Sequence, residues 1–396
     1  MGKMKEVTDL YNEYVMPTYS RSPLCISRGK GAEVWDIEGK KYLDFFPGWA
    51  VSGLGHCPKK VVKAVKDQVG KIMHVSNNYM SELQPLLAKK IIEHSFGSGK
   101  VFFANSGAEA NEAAVKLARK YGQGSKFEVI TMEKSFHGRT LAMITATGQE
   151  KVKLGFYPLP EGFKSVPFND IAALKGAITD KTAAIMLEPI QGEGGINVAG
   201  KEYIQEVRKI CDDKDMLLIF DEVQTGIGRT GEMFCYKNYG VEPDIITLAK
   251  ALGGGVPIGA MVAKKEIADL LGPGTHASTF GGSPLVCAAS LAVFETIESE
   301  NILKHVKAMG EHLINQLNKL KKKFPFIKEV RGMGLMIGVE LTMEGDPIFK
   351  SCLNHGLLIN CTQKNVLRIM PPINIKRSQI NKGLRILKKV FGEVHA

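Results

Sequence analysis

The chain has 396 residues and a formal net charge of +11, with 44% hydrophobic and 23% charged residues. That length exceeds what one hydrophobic core usually serves, so roughly two domains are expected, and the residue balance is that of an ordinary folded α/β protein. No apolar run reaches the ~18 residues a membrane helix needs, residues 1–25 contain no apolar signal-peptide core, and Glu6 stands where an N-terminal acylation signal prefers Ser or Thr; a cytoplasmic protein with no membrane partner is expected.

In chain order, "AEVWDIEGKKYLDF" (32–45) reads as a short strand pair around a Glu-Gly turn. This N-terminal segment, 1–50, is expected to pack with the C-terminal part. Strand-like and helix-like runs then alternate. "VFFAN" (101–105) leads into the helix pattern "GAEANEAAVKLARKYG" (107–122). Next come "FEVITME" (127–133), "AAIMLEP" (183–189), the helix "KEYIQEVRKICDDK" (201–214), "MLLIFDE" (216–222), "DIITLAK" (244–250) and "GAMVA" (259–263). Buried β-branched runs separated by helices predict a mostly parallel sheet in an α/β domain over 51–284. A long helix pattern (285–323), "EVRGMGLMIGVEL" (329–341), "VLRIMPP" (366–372) and a last amphipathic helix predict a smaller α+β domain over 285–396.

Lysines and arginines are scattered, and the densest run, "LNKLKKKF" (317–324), ends a helix, where Lys suits the helix dipole. A nucleic-acid partner is therefore not expected; a diffuse positive field suits gathering anionic substrates. The seven cysteines are odd in number and form no C-x-x-C, which excludes a disulfide frame or zinc-ribbon reading. The nine histidines form no H-E-x-x-H, so no metal is expected.

Three features carry chemistry. "LLIFDEVQTGIGRTG" (217–231) contains G-x-G-x-x-G at Gly226, Gly228 and Gly231. A dinucleotide fingerprint would follow its strand directly and open a helix. Here four residues intervene, a poor helix follows, and Asp221 and Glu222 would repel a pyrophosphate, so a glycine-rich turn is the better reading. A carboxylate at a buried strand's carboxyl end lies where open α/β sheets bind ligands, although a helix cap explains Asp221 equally well. Lys250 ends an apolar run before three glycines, and a partly desolvated lysine has the lowered pKa that Schiff-base chemistry needs; a surface strand end is the plain alternative. Ser106-Gly107-Ala108 joins a strand to a helix start, where free N–H groups bind phosphate, and Ser106 with Glu109 also reads as a capping box. A phosphate seat, a strand-end acid and a strand-end lysine are together the parts that pyridoxal phosphate requires.

The blocks "FFANSGAEANEAAVKLAR", "SFHGRT", "EPIQGEGG", "FDEVQTGIGRTG", "LAKALGGGVPIGA" and "STFGGSPL", in this order over most of the chain, resemble the class III pyridoxal-phosphate aminotransferases. The resemblance implies a fold-type-I transferase and an enzyme, with pyridoxal 5'-phosphate as cofactor and a homodimer whose active sites are shared. It implies that Lys250 holds the cofactor and shuttles the proton, and that Asp221 pairs with its ring nitrogen. Val223 and Phe136 pack on the ring faces, and Gln224 lies near the ring hydroxyl with Glu222 among the cofactor contacts. Ser106, Gly107 and Ala108 hold the phosphate, joined by Thr279 from the other subunit. Ser278 contacts substrate, Arg139 grips its carboxylate, and Arg368 binds the glutamate α-carboxylate. Glu193 neutralises Arg368 when the other substrate is bound.

Within the family the blocks are most similar to enzymes that move the δ-amino group of N2-acetylornithine to 2-oxoglutarate in arginine biosynthesis, with succinyl-diaminopimelate as a further donor. Ornithine and 4-aminobutyrate enzymes are the alternatives, and a non-catalytic cofactor-binding regulator is the alternative of another class. The chain departs from the family pattern at Trp49, where Ile is common, at "GHCPKK", where a second His is usual, and at "SNNYMSELQ".

Overall fold

The computed structural model describes residues 2–395. Strands β1 (Ile26–Lys30), β2 (Glu33–Asp36) and β3 (Lys41–Asp44) form an antiparallel N-terminal ladder. The central sheet comprises β4 (Lys100–Ala104), β5 (Glu128–Met132), β6 (Phe163–Val166) and β7 (Thr182–Leu187). After a small ladder of β8 (Ile190–Gln191) and β9 (Asn197–Val198), it continues with β10 (Leu217–Asp221), β11 (Ile245–Leu248) and β12 (Gly259–Ala263). Its spatial order is β4-β12-β11-β10-β7-β5-β6, parallel except for β12. A second sheet, ordered β13-β14-β17-β16, joins β13 (Ile327–Met333), β14 (Met336–Leu341), β16 (Asn360–Thr362) and β17 (Val366–Ile369) antiparallel, while β15 (Leu357–Leu358) pairs with β3.

Every residue of β7, β10 and β11 is buried, as parallel strands covered on both faces require. Successive residues alternate between two cores, as the two-residue strand period dictates. Ala184, Met186, Leu217, Ile219 and Ile245 pack with Ala113, Ala114 and Leu117 of the helix Gly107–Tyr121. Ile185, Leu187, Leu218, Phe220 and Ile246 face the other way, toward Ile204, Val207 and Ile210 of Lys201–Asp213. Those three residues recur at helical spacing, which gives that helix its apolar stripe. Full burial of one such leucine or isoleucine contributes about 1.5–3 kcal/mol.

Two elements differ from the sequence expectation. The helix pattern 285–323 is two helices, Pro284–Ser299 and Ile302–Lys323, because Asn301 turns left-handed at φ 51°; Asn is among the few side chains that tolerate this conformation. The strand over 244–250 ends at Leu248, and Lys250 starts a 3-10 turn with φ 47°.

The topology gathers the carboxyl ends of the parallel strands at one edge, the usual ligand end of such sheets. There β4 runs into Ser106, β7 into Glu188, β10 ends at Asp221, and β11 runs into Lys250. Antiparallel β12 brings Gly259 to the same edge, where an added Cβ would stand 2.2 Å from the Ser106 carbonyl oxygen, so only glycine fits.

Candidate active site

A cavity of about 350 Å³ opens at this edge. Ser106, Gly107, Ala108, Phe136, Glu193, Asp221, Val223, Gln224 and Lys250, drawn from segments far apart in sequence, all line it.

At one wall the helix Gly107–Tyr121 points its N-terminus into the cavity. Ser106 caps it, its Oγ accepting from the Glu109 N–H at 3.2 Å. The second half of the expected capping box is shifted by one residue, because the Glu109 carboxylate accepts from the N–H and Nδ2 of Asn105 instead. The first-turn N–H groups, which no helix can satisfy internally, therefore face the cavity with the positive end of the helix dipole, an anion seat. Gly107 is obligatory here: a Cβ would meet Val223 Cγ1 at 2.9 Å.

Asp221 is 3% exposed and held on all sides by donors. Its Oδ2 accepts from Asn111 Nδ2 at 2.8 Å and lies 2.8 Å from His137 Nδ1, and its Oδ1 accepts from the Val223 N–H at 3.1 Å. Asn111 is fixed in turn by the His137 carbonyl and the Thr247 hydroxyl. Asn111, His137 and Glu188 also line the cavity, beyond the residues the sequence motifs assign to it. Asn111 had a signal, a polar residue on the buried, alanine-rich face of its helix, since a buried polar group needs a partner. His137 and Glu188 stood inside "SFHGRT" and "EPIQGEGG".

Lys250 makes no ion pair among the described residues. Burial lowers its pKa below the ordinary lysine value, and nearby Arg368 adds to this, while Glu193, Asp221 and Glu188 pull the other way. The balance shifts this amine toward its neutral, nucleophilic form relative to an exposed lysine. Burial likewise raises the Glu188 carboxyl, helped by the charge of Asp221 and opposed by His137 and the N–H groups of Gly192 and Phe136.

Next to the cavity, Arg368 is fully buried and pairs with Glu193, Nη1 to Oε1 at 2.5 Å and Nη2 to Oε2 at 3.1 Å. Its Nε donates to Asn360 Oδ1 at 2.7 Å. The guanidinium also lies 4.7 Å from the Phe46 ring and 5.3 Å from that of Trp49, a residue at φ 61°.

Other expected residues are not brought to the cavity. Arg139 is exposed, its guanidinium 5.4 Å from the Phe136 ring. The Ser278 hydroxyl accepts from Asn105 Nδ2 at 3.2 Å and its carbonyl from Asn77 Nδ2 at 3.0 Å. Thr279 borders a separate cleft with His74, Ser76 and Tyr79. Glu222 turns away from the cavity and accepts from Thr225 Oγ1 and the N–H groups of Cys235 and Tyr236 at 3.0, 2.7 and 2.7 Å. Its place among the cofactor contacts is therefore corrected: it anchors the following loop.

Burial pushes the Glu222 carboxyl from 4.5 up to about 7, against the three hydrogen bonds it accepts. Between these values the folded chain keeps a proton that the unfolded chain releases. The contribution of Glu222 is thus fully present below about pH 4.5 and is lost as pH rises through about 7. Urea unfolding from pH 5 to 8 is expected to show a steeper fall in midpoint for the wild type than for Glu222→Gln; parallel curves would contradict this account.

The cavity fits the cofactor that the sequence resemblance implies. The helix-start N–H groups suit a phosphate, and Gln224 Oε1 is buried without a partner at the wall, ready for a hydroxyl donor. Asp221 suits a protonated ring nitrogen, and Lys250 suits an aldehyde carbon.

The model of the class-III aminotransferase family matches residues 14–391. The chain is 55% identical to the acetylornithine aminotransferase of Methanocaldococcus jannaschii, over 98% of each chain. It is 53% identical to that of Caldanaerobacter subterraneus subsp. tengcongensis, over 96% of this chain and 98% of the other. Among solved structures, the ornithine aminotransferase of Toxoplasma gondii, with partial occupancy of pyridoxal phosphate at its active site, superposes with a TM-score of 0.94 at 33% identity, covering 98% of this chain and 94% of that one.

Proposed function

The chain belongs to the class-III aminotransferases, and from that premise we propose that it transfers the δ-amino group of N2-acetylornithine to 2-oxoglutarate. The observation that carries the reading is the Glu193–Arg368 pair beside the Lys250 cavity. Glutamate carries a carboxylate on its reacting carbon and the δ-carbon of acetylornithine carries none, so one site needs a cation that can be cancelled. Identities of 55% and 53% over nearly the full length to two acetylornithine enzymes favour the acylated donor.

Bound pyridoxal phosphate supplies an electron sink for the carbanion left when the amine-bearing carbon loses its proton. The residues of the chain do the rest. Ser106, Gly107 and Ala108 would hold the phosphate, and Val223 and Phe136 would cover the ring and exclude water. Gln224 Oε1 would accept from the ring hydroxyl, and Asp221 would hold a proton at the ring nitrogen. Lys250 Nζ takes the proton from the amine-bearing substrate carbon and would deliver it to C4′ of the bound cofactor, the task its lowered pKa suits. Arg139 swings in over Phe136 to grip the distal carboxylate with its two-pronged guanidinium. Arg368, released by Glu193, takes the α-carboxylate of glutamate. Thr279 and Ser278 belong to this reading as contributions to the cavity of a second copy, in a symmetric homodimer. The reading takes 1–50 as packing on a small domain, 285–396, and 51–284 as the cofactor domain, in a cytoplasmic enzyme.

A donor panel with 2-oxoglutarate tests this: acetylornithine, ornithine, 4-aminobutyrate and succinyl-diaminopimelate. Acetylornithine is expected to give the highest kcat/KM, and faster turnover of free ornithine or 4-aminobutyrate would reassign the substrate. Glu193→Ala leaves Arg368 buried and unpaired, a cost of about 3–5 kcal/mol that glutamate relieves and acetylornithine does not. The ratio of the two half-reaction rates is expected to shift by about tenfold or more toward glutamate, since ~1.4 kcal/mol is tenfold. An unchanged ratio would sink the switch.

A further inference from the structure

The glycine-rich turn after β10 has no phosphate to hold, yet it carries Arg229, a fully buried cation. Arg229 makes no ion pair among the described residues, and its Nη2 is buried without a partner. Burial alone lowers its pKa, to about 10. An arginine kept in such a place is costly, so the contacts it does make should matter. Nη1 donates to the Leu335 carbonyl at 3.0 Å and to the Pro371 carbonyl at 2.5 Å, and the Arg229 carbonyl accepts from the Leu335 N–H at 3.1 Å. Leu335 is at the β13–β14 turn, and Pro371 follows the strand that carries Arg368.

The glycines serve this joint. A Cβ on Gly334 would stand 2.7 Å from the Thr230 carbonyl carbon, and one on Gly231 would stand 2.5 Å from Lys307 Cγ. On its other side the turn is tied to the cofactor end of β10, through the Gly226 N–H to the Glu222 carbonyl at 2.9 Å and through the Glu222 carboxylate to Cys235 and Tyr236. The segment after Arg368 has two further ties, Met370 N–H to the Phe45 carbonyl at 2.8 Å and Ile373 N–H to the Gly53 carbonyl at 2.7 Å.

We infer that Arg229 is a positioning residue that sets Arg368 in register with the end of β10 carrying Asp221, and so governs recognition of the substrate that uses Arg368. The inference rests on the reading of Arg368 given above. Arg229 touches neither cavity nor substrate, so its effect is selective: the half-reaction with glutamate depends on the registered guanidinium, whereas that with acetylornithine leaves Arg368 paired to Glu193.

The test is single-turnover kinetics of the purified holoenzyme with each substrate, read by cofactor absorbance. Arg229→Met keeps the side-chain bulk and removes a buried charge, a change that is often neutral or stabilising. It is expected to raise the half-saturating glutamate concentration by about tenfold or more, as misplacements of about 1 Å do. The value for acetylornithine and the resting absorbance spectrum should stay close to wild type, and Arg229→Lys should recover part of the loss. Gly334→Ala presses on the same joint from the other side and is expected to show the same selectivity, so it decides the matter should Arg229→Met not fold. Equal losses in both half-reactions, or none, overturn the inference while leaving the function intact. Arg368→Gln is the control: if it lacks the glutamate-selective loss, the reading of Arg368 falls and this inference falls with it.

Discussion

Lys250→Ala is expected to abolish turnover, lowering the rate of both half-reactions by about 10⁴-fold, the upper range for a positioned acid–base group. No other residue lining the cavity offers an amine. The neighbouring carboxylates are already engaged: Asp221 by three donors, Glu193 by Arg368, and Glu188 by the N–H groups of Phe136 and Gly192. The fold is expected to survive. Lys250 leaves no ion-pair partner behind, and its side chain borders an open cavity, so truncation creates no sealed void. The sign of its pKa shift points the same way. An amine lowered from 10.5 penalises the folded state where it must carry charge, and this penalty fades only as pH rises toward 10.5. Removing the amine at neutral pH should therefore leave thermal stability unchanged or raised. Single-turnover rates and a melting curve on the same preparation check both halves. Residual turnover within tenfold of wild type would remove Lys250 from its role, and a lowered melting temperature would show that its loss is structural.

What could be read from the sequence had a common physical basis. Lys250, Asp221 and Ser106 each break a local rule: a charge ends an apolar run, or a strand meets a helix without a spacer. Such breaks are visible within ten residues. The partners of these residues are not, because tertiary folding supplies them. Asn111 and His137 reach Asp221 across 110 and 84 positions, and nothing in either local segment points to that meeting. The turn 226–231 was legible as a turn, but not what packs on it: a Cβ on Gly231 would meet Lys307, and one on Gly334 of the β13–β14 turn would meet Thr230, more than a hundred positions away. The break at Asn301 was hidden for a different reason. The apolar period continues across it, and a single left-handed residue leaves no mark in that pattern. Arg139 shows the converse limit: a motif names the residue, while the structure places it outside the cavity wall, over Phe136.

Asp221→Asn is expected to lower kcat by about 10²–10³-fold, the range for losing one preorganised electrostatic contact, with smaller changes in the half-saturating concentration of either substrate. Every group around this carboxylate donates or can donate. Oδ2 takes the Asn111 amide and faces His137 Nδ1, while Oδ1 takes the Val223 N–H. An asparagine has one accepting oxygen. If that oxygen keeps the Asn111 and His137 side, its NH2 faces the Val223 N–H and can no longer hold a proton at the cofactor ring nitrogen. If it turns round, the NH2 opposes the Asn111 amide in a buried setting, at about 1–3 kcal/mol for a donor left unpaired. Either way the buried negative charge is gone, and the acidity of the substrate carbon that Lys250 deprotonates falls with it. Asp221→Ala is the poorer test, because it strands both Asn111 and His137 and mixes loss of fold with loss of rate. Single-turnover rates for the Asn variant, with circular dichroism to establish its fold, separate the two. A folded Asn variant within threefold of wild type would show that the ring-nitrogen proton is held elsewhere. The unpartnered Nε2 of His137, buried beside Asp221, would then be the group to replace next.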